Sequence, residues 1–276
     1  MRARSSVLGL SALLSISFCA AVLFSSASAF AQYVQQGPKL GGNGAVGNTQ
    51  VGSSVALSAD GNTALMGGPF DKTSISDNAN TGAAWVFTRS GEVWTQQGPK
   101  LVGTGAIGAA TQGGAVTLSA DGNTALVGGG TDNCSAFGCT GAAWLFTRSG
   151  GEWTQQAKLV GTGVIGSRAG QGKAVALSAD GNTALVGGPG DNNSTGAVWV
   201  FTRSGDVWTQ EAKLIGSGAS GLTSQGFSVA LSTDGNTALL GGGPLTTVVW
   251  ARSGSSPAAA ACGRSRAASW SALGLS

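Results

Sequence analysis

Histidine does not occur anywhere in the 276 residues. Its absence excludes Ser-His-Asp and Cys-His catalysis and every metal centre that needs imidazole. Charge is scarce too: Asp, Glu, Lys and Arg make up 10% of the chain, against about 25% in an average domain. Fifteen basic and 12 acidic residues leave a formal net charge of +3. A balance so near neutrality argues against nucleic acid or an anionic membrane surface as partner. Long apolar runs are lacking after the first, Val7 to Phe24, so the mature chain is expected to carry no membrane span.

That single run sits in MRARSSVLGLSALLSISFCAAVLFSSASAFA, behind Arg2 and Arg4 and ahead of small residues. Basic start, apolar middle and A-x-A end are the layout of a secretory signal peptide over residues 1–31. Cleavage is expected after Ala31 or Ala29, which makes the protein secreted, periplasmic or held at the cell surface. A retained membrane anchor is the alternative, and the A-x-A sites weigh against it. In an exported chain Cys134 and Cys139, inside the single stretch TDNCSAFGCTG, are candidates for a local disulfide.

What the sequence has in abundance is glycine, 48 residues, and repetition. LSADGNTAL occurs at Leu57–Leu65, Leu118–Leu126 and Leu177–Leu185, and LSTDGNTAL at Leu231–Leu239. A period of this size indicates a propeller or a linear array. Within the third unit, VALS and TALVGG flank Asp-Gly, a strong hairpin signal. GAVWVFTRS and VWTQEAKL follow as third and fourth strands, separated by a turn at Ser204-Gly205-Asp206. Four antiparallel strands per unit make an all-β fold of β-propeller blades, each sheet covered on both faces by its neighbours. The blade hairpins fall near 51–101, 112–159, 171–214 and 226–243, giving three full blades and part of a fourth within residues 32–244.

Gln225-Gly226-Phe227-Ser228-Val229-Ala230-Leu231, Gly187-Gly188-Pro189-Gly190-Asp191 and the strand WVFTRSG resemble the FG-GAP repeats, whose blades are related to the integrin α-subunit propeller. The match departs from the family at Val51-Gly52, Gly113-Gly114 and Gly172-Lys173, which stand where it has Phe-Gly. The resemblance implies an extracellular binding or adhesion propeller with no chemistry assigned. It also directs attention to calcium, because integrin-type blades carry Asp-rich calcium loops. Asp191, Asn192 and Asn193 are the weak candidates, since no loop has the alternating carboxylates that calcium requires.

Chemistry is hard to place on such a chain. Asp60, Asp121, Asp180 and Asp234 fall at hairpin turns; Glu92, Glu152 and Asp206 share a second turn. Asp71, Asp132 and Asp191 share a third position, leaving only Asp77 and Glu211 outside the pattern. A glycosidase needs two unlike carboxylates about one bond, which repeated positions do not supply. No catalytic residue and no cofactor is therefore expected. The tryptophans Trp85, Trp144 and Trp199, and Trp94, Trp153 and Trp208, recur at fixed positions and are expected to pack between blades. Arg89, Arg148 and Arg203 recur likewise and are expected to point to solvent. The unidentified ligand is a protein or a glycan.

The mature N-terminus QYVQQGPKL matches the fourth strand WTQQGPKL at Trp94–Leu101 and is expected to pair with the last blade. After Gly242 the repeat breaks into an Ala-, Ser- and Arg-rich tail. Joining the last base of each codon to the next two lets Ser256-Pro257-Ala258-Ala259 encode Phe-Thr-Arg-Ser. The same shift lets Cys262 to Arg266 encode Val-Trp-Thr-Gln-Gln. Residues 245–276 therefore read as a frameshifted tail, expected to be disordered, on a truncated propeller. A propeller enzyme and a non-functional truncated product are the alternatives to a binding module.

Overall fold

The computed structural model describes residues 33–72, 79–217, 222–243, 247–253 and 269–272. The signal segment 1–31, Asp77 and most of the tail lie outside them. Residues 1–35 form one unit and residues 36–276 another.

The larger unit holds four four-stranded antiparallel sheets, four successive blades of a β-propeller. The first contains β1 (Ser54–Leu57), β2 (Thr63–Gly68), β3 (Ala83–Ser90) and β4 (Val93–Gln96). The second contains β5 (Ala115–Leu118) and β6 (Thr124–Gly129), then a two-stranded ribbon β7 (Cys134–Ser135) and β8 (Gly138–Cys139), then β9 (Ala142–Ser149) and β10 (Glu152–Leu159). The third runs β11 (Ala174–Leu177), β12 (Thr183–Gly188), β13 (Ala197–Ser204) and β14 (Val207–Leu214), with a helical turn α1 (Asp191–Ser194) between β12 and β13. The fourth comprises β15 (Ser228–Leu231), β16 (Thr237–Gly241), β17 (Thr247–Ser253) and β18 (Ser269–Ala272).

Each blade is built by the same local rules. The Asp of the motif closes the first hairpin as an Asx turn: Asp60 Oδ1 accepts from Ser58 Oγ at 2.5 Å and from the Asn62 N–H at 2.9 Å. In the second and third blades the second strand is buried on both faces, so its two sides enter different cores. Val127 of β6 packs with Leu65, Val86 and Leu101 of the first blade, whereas Leu126 packs with Val186 and Trp199 of the third. The paired glycines at the end of this strand admit the next blade: a Cβ on Gly128 would strike the carbonyl of Gly172. Hairpin tips are also stitched together. The Ala59 N–H donates to Ala120 O at 2.9 Å, Ala120 to Ala179 O at 2.9 Å, and Ala179 to Thr233 O at 3.0 Å.

The structure revises the fourth blade. It is a full four-stranded sheet, not a partial one, because the tail as written supplies β17 and β18. TVVWARS keeps the register of the repeat: Trp250 pairs with Ala238, as Phe146 pairs with Ala125, and the Arg252 N–H donates to Asn236 O, as Arg148 does to Asn123 O. Trp250 packs against the third–fourth blade core, and Arg252 meets Glu211 through Nε at 3.1 Å and Nη2 at 2.5 Å. Two segments of the expected disordered tail are thus strands; residues 254–268 and 273–276 lie outside the described residues. Tyr33 to Leu40, expected to supply a strand to the last blade, are in no strand, and β18 holds the position next to β17.

Candidate binding surface

Most of the polar side chains that the repeat supplies are consumed by the fold. Asp71, Asp132 and Asp191 are buried. In each, Oδ1 accepts a backbone N–H, from Val46 at 2.8 Å, Ile107 at 2.7 Å and Ile165 at 2.8 Å. In each, Oδ2 faces a lysine of the same blade's outer strand segment: Lys100 at 2.5 Å, Lys158 at 2.6 Å and Lys213 at 2.7 Å. An ammonium therefore stands beside Asp191 where a bound cation would have to sit. Asn192 and Asn193, the other two calcium candidates, adopt left-handed φ of 47° and 53°, which suits asparagine in a turn. Among the described residues no cluster of three or more His, Cys, Asp or Glu could hold a metal ion.

The aromatic positions are equally committed. Trp85, Trp144 and Trp199 are fully buried, and each indole N–H donates to a backbone carbonyl, of Asn43, Thr104 and Thr162 respectively. A glycine lies flat on each ring; at Gly103 or Gly161 a Cβ would collide with the indole of Trp144 or Trp199. The arginines do not point freely to solvent as expected. Arg89, Arg148 and Arg203 lie over the half-buried rings of Trp94, Trp153 and Trp208 at 5.5, 5.4 and 6.0 Å, and each bonds an Asn Oδ1 of its own blade. Stacking over these rings holds both partners in place. Among the described residues these three arginine–tryptophan pairs form no open ring.

A third repeated device was not anticipated. Gln112, Gln171 and Gln225 are fully buried, and each side-chain amide clamps one glycine. Gln112 Oε1 accepts the Gly103 N–H at 2.6 Å while its Nε2 donates to Gly103 O at 2.9 Å. Gln171 treats Gly161 in the same way at 2.5 and 3.0 Å. The first blade has Val51 at this position.

Apart from the exposed turn carboxylates Glu92, Glu152 and Asp206, what remains available is what does not repeat. Cys134 and Cys139 are joined by a disulfide that closes the β7–β8 ribbon, and the equivalent loops of the other units contain no cysteine. Its tip presents Phe137, 76% exposed. Ser167 Oγ donates to the Phe137 carbonyl at 3.2 Å, which brings the ribbon against the loop carrying Arg168. Arg168 and Lys173 share a cleft of about 300 Å³ between the second and third blades, floored by Thr111, Gly130 and Gly190. A second hollow of similar volume adjoins it through Arg168 and Gly190 and is rimmed by Ile165 and Leu222, 52% and 76% exposed. The result is a surface with two cations, neither within 4.0 Å of a carboxylate among the described residues, set among exposed apolar side chains. Arg168 stands where the second unit has Ala109, and Lys173 where it has Gly114. The sequence signal for the site was therefore departure from the repeat, which a search for repeated polar groups passes over.

No family model matches the chain, and no curated protein matches it. Among solved structures it is similar to TolB from Acinetobacter baumannii, with a TM-score of 0.38 and 12% identity over 71% of this chain. The chain spans 39% of that protein's length.

Proposed function

We propose that the protein is an exported, non-catalytic propeller that binds a partner protein through the Phe137–Arg168–Lys173 surface. The observation that carries this reading is the contrast between repeated and unique groups. Repeated carboxylates, glutamines, tryptophans and arginines are spent on turns, ion pairs, clamps and stacking, and the unique ones are exposed together. Exposed aromatic and aliphatic side chains beside arginine are the composition of a protein-binding patch. A glycan is less well served, because the tryptophans that would stack on sugar rings are packed within and between blades. The cations ask for acidic groups on the partner.

A further observation supports export and an adhesion-type role: the ribbon disulfide suits an oxidising compartment. The FG-GAP-like pattern around Gln225–Leu231 points the same way. An enzyme would need acid and base groups with free lone pairs in a cleft, and the cleft at Arg168 offers none among the described residues.

Binding of a fluorescent peptide alternating glutamate and leucine tests the proposal, with a lysine–leucine peptide and an oligouronate as comparators. The acidic peptide should bind, and Arg168→Ala/Lys173→Ala should weaken it at least about tenfold, the loss expected when ~1.4 kcal/mol of contact energy is removed. Equal binding by the double variant, or preference for the oligouronate, would overturn it.

A further inference from the structure

The blade stack ends in two uncovered apolar faces that complement one another. Within the stack, the trailing face of each blade is covered by the leading face of the one before. Leu118 and Leu177 on the trailing faces of the second and third blades are 8% and 9% exposed, but Leu57, their equivalent in the first blade, is 62% exposed. Ala64 and Met66 are half-buried where Ala125, Val127, Ala184 and Val186 are fully buried. Residues near Leu40, Gly42 and Val51 cover Trp85 and Phe87, yet they leave Val55 and Leu57 open. On the opposite end, Leu239 in the fourth blade is 40% exposed, whereas Leu65, Leu126 and Leu185 at the same position are fully buried.

The backbone repeats the pattern. The hairpin-tip series that runs Ala59 to Ala120, Ala120 to Ala179 and Ala179 to Thr233 ends in an Ala59 carbonyl and a Thr233 N–H. Neither has a backbone partner among the described residues. One terminal face thus offers an acceptor and the other a donor, at the position where every internal interface has a hydrogen bond.

We infer that a second copy of this chain occupies these faces head to tail, the fourth blade of one against the first blade of the other. The occupant is fixed by continuity: the contact is the one this sequence already makes between its own successive blades, with the equivalent leucines Leu57 and Leu239 and a bond from the Thr233 N–H of one copy to the Ala59 carbonyl of the other. The interface is heterologous, using a different face from each copy, so it either closes a ring or propagates. Two copies supply eight blades, within the range of closed propellers.

The test is the mass of the full chain, recovered as its expression host processes and secretes it, by light scattering and sedimentation. Leu57→Asp blocks one face and Leu239→Asp the other; both side chains are exposed, so folding is spared. The unaltered chain should run at twice the monomer mass or more, and each variant alone as a monomer. An equimolar mixture of the two variants should give a dimer and nothing larger, since one compatible interface survives. A monomer at about 100 μM that binds a hydrophobic dye would overturn the inference by showing faces left open. A monomer that binds no dye would overturn it in favour of closure within one chain. Dimers of a single variant would replace it with a symmetric interface.

Discussion

Lys213 Nζ lies 2.7 Å from Asp191 Oδ2, with the carboxylate side chain fully buried and the lysine 13% exposed. The pair ties the outer strand of the third blade to the loop after β12, and the first and second blades hold identical pairs. A buried carboxylate that loses its only cation is left uncompensated, at a cost of ~3–5 kcal/mol. Lys213→Met should therefore lower the melting temperature by on the order of 10 °C, given the ~2–4 °C per kcal/mol typical of larger domains. The double change Asp191→Asn/Lys213→Met should recover much of that loss. Calorimetry decides it, and an unaltered transition in the single variant would contradict the assignment.

The same pair sets an expectation for calcium. A cation entering beside Asp191 must displace Lys213 and would then lack further carboxylates. Calcium bound at a hundred times its dissociation constant would add about 2.7 kcal/mol to stability. No such stabilisation is expected: melting curves in millimolar calcium and in chelator should superimpose. A calcium-dependent rise in the transition would show a site that these residues do not explain.

Hairpin aspartates give the protein its acid limit. The Ser58 hydroxyl, followed by the backbone and amide of Asn62, holds Asp60 down from an ordinary 3.8 to about 2. Asp234 is likewise lowered, by the Ser232 hydroxyl and then by Asn236. At Asp121 and Asp180 burial pulls upward, but hydrogen bonds from Ser119 and Asn123, and from Ser178 and Asn182, together outweigh it and leave both lowered. A folded-state value below the unfolded one means the unfolded chain takes up protons first. The stabilisation is complete above the unfolded value near 3.8 and is lost as pH falls toward about 2. Melting temperature should be insensitive to these groups above about pH 5 and drop steeply below 4. Replacing all four aspartates with asparagine should flatten that acid limb.

Gly161 lies against the face of Trp199, and a Cβ there would overlap the indole. The ring cannot retreat, because its N–H is held by the Thr162 carbonyl at 2.7 Å and the surrounding core is closed. Gly161→Ala should destabilise by about 1–3 kcal/mol, the usual cost of overpacking, read as an earlier urea midpoint with unchanged slope. Gly41→Ala, with nothing within 4 Å and, like Gly161, no positive φ, isolates the backbone contribution alone.

The hairpins, strand order and buried tryptophans were legible in the sequence because they depend on neighbours within one unit. Asp-Gly fixes the turn at Asp60 and its equivalents, and alternation around Trp199 fixes the strand. Pairings between distant segments were not legible. Lys213 on β14 and Asp191 in the loop after β12 meet only once the sheet exists, and the partners of Arg148 include Gln97 of the preceding blade. The last two strands were missed for a related reason: the tail suggests another reading frame, yet TVVWARS as written still alternates and places Trp250 and Arg252 in register. Arg168, Lys173 and Phe137 carry no motif, and only the fold gathers them on one surface.

The glutamine clamps supply the last prediction, and it has two signs. Gln171 satisfies both backbone groups of Gly161 in a fully buried setting, so Gln171→Leu strands an N–H and a C=O without water. Each unsatisfied buried group costs about 1–3 kcal/mol, and a loss near the sum is expected. The first blade is the natural counter-case, because Val51 occupies the clamp position and Gly42 stacks on Trp85 as Gly161 stacks on Trp199. Val51→Gln should install the missing clamp and raise stability by about 0.5–1.5 kcal/mol, the net worth of an intramolecular hydrogen bond. Urea unfolding of both variants checks the pair. A loss at Gln171 with no gain at Val51 would mean that Gly42, whose carbonyl already accepts the Ala45 N–H at 3.4 Å, needs no clamp.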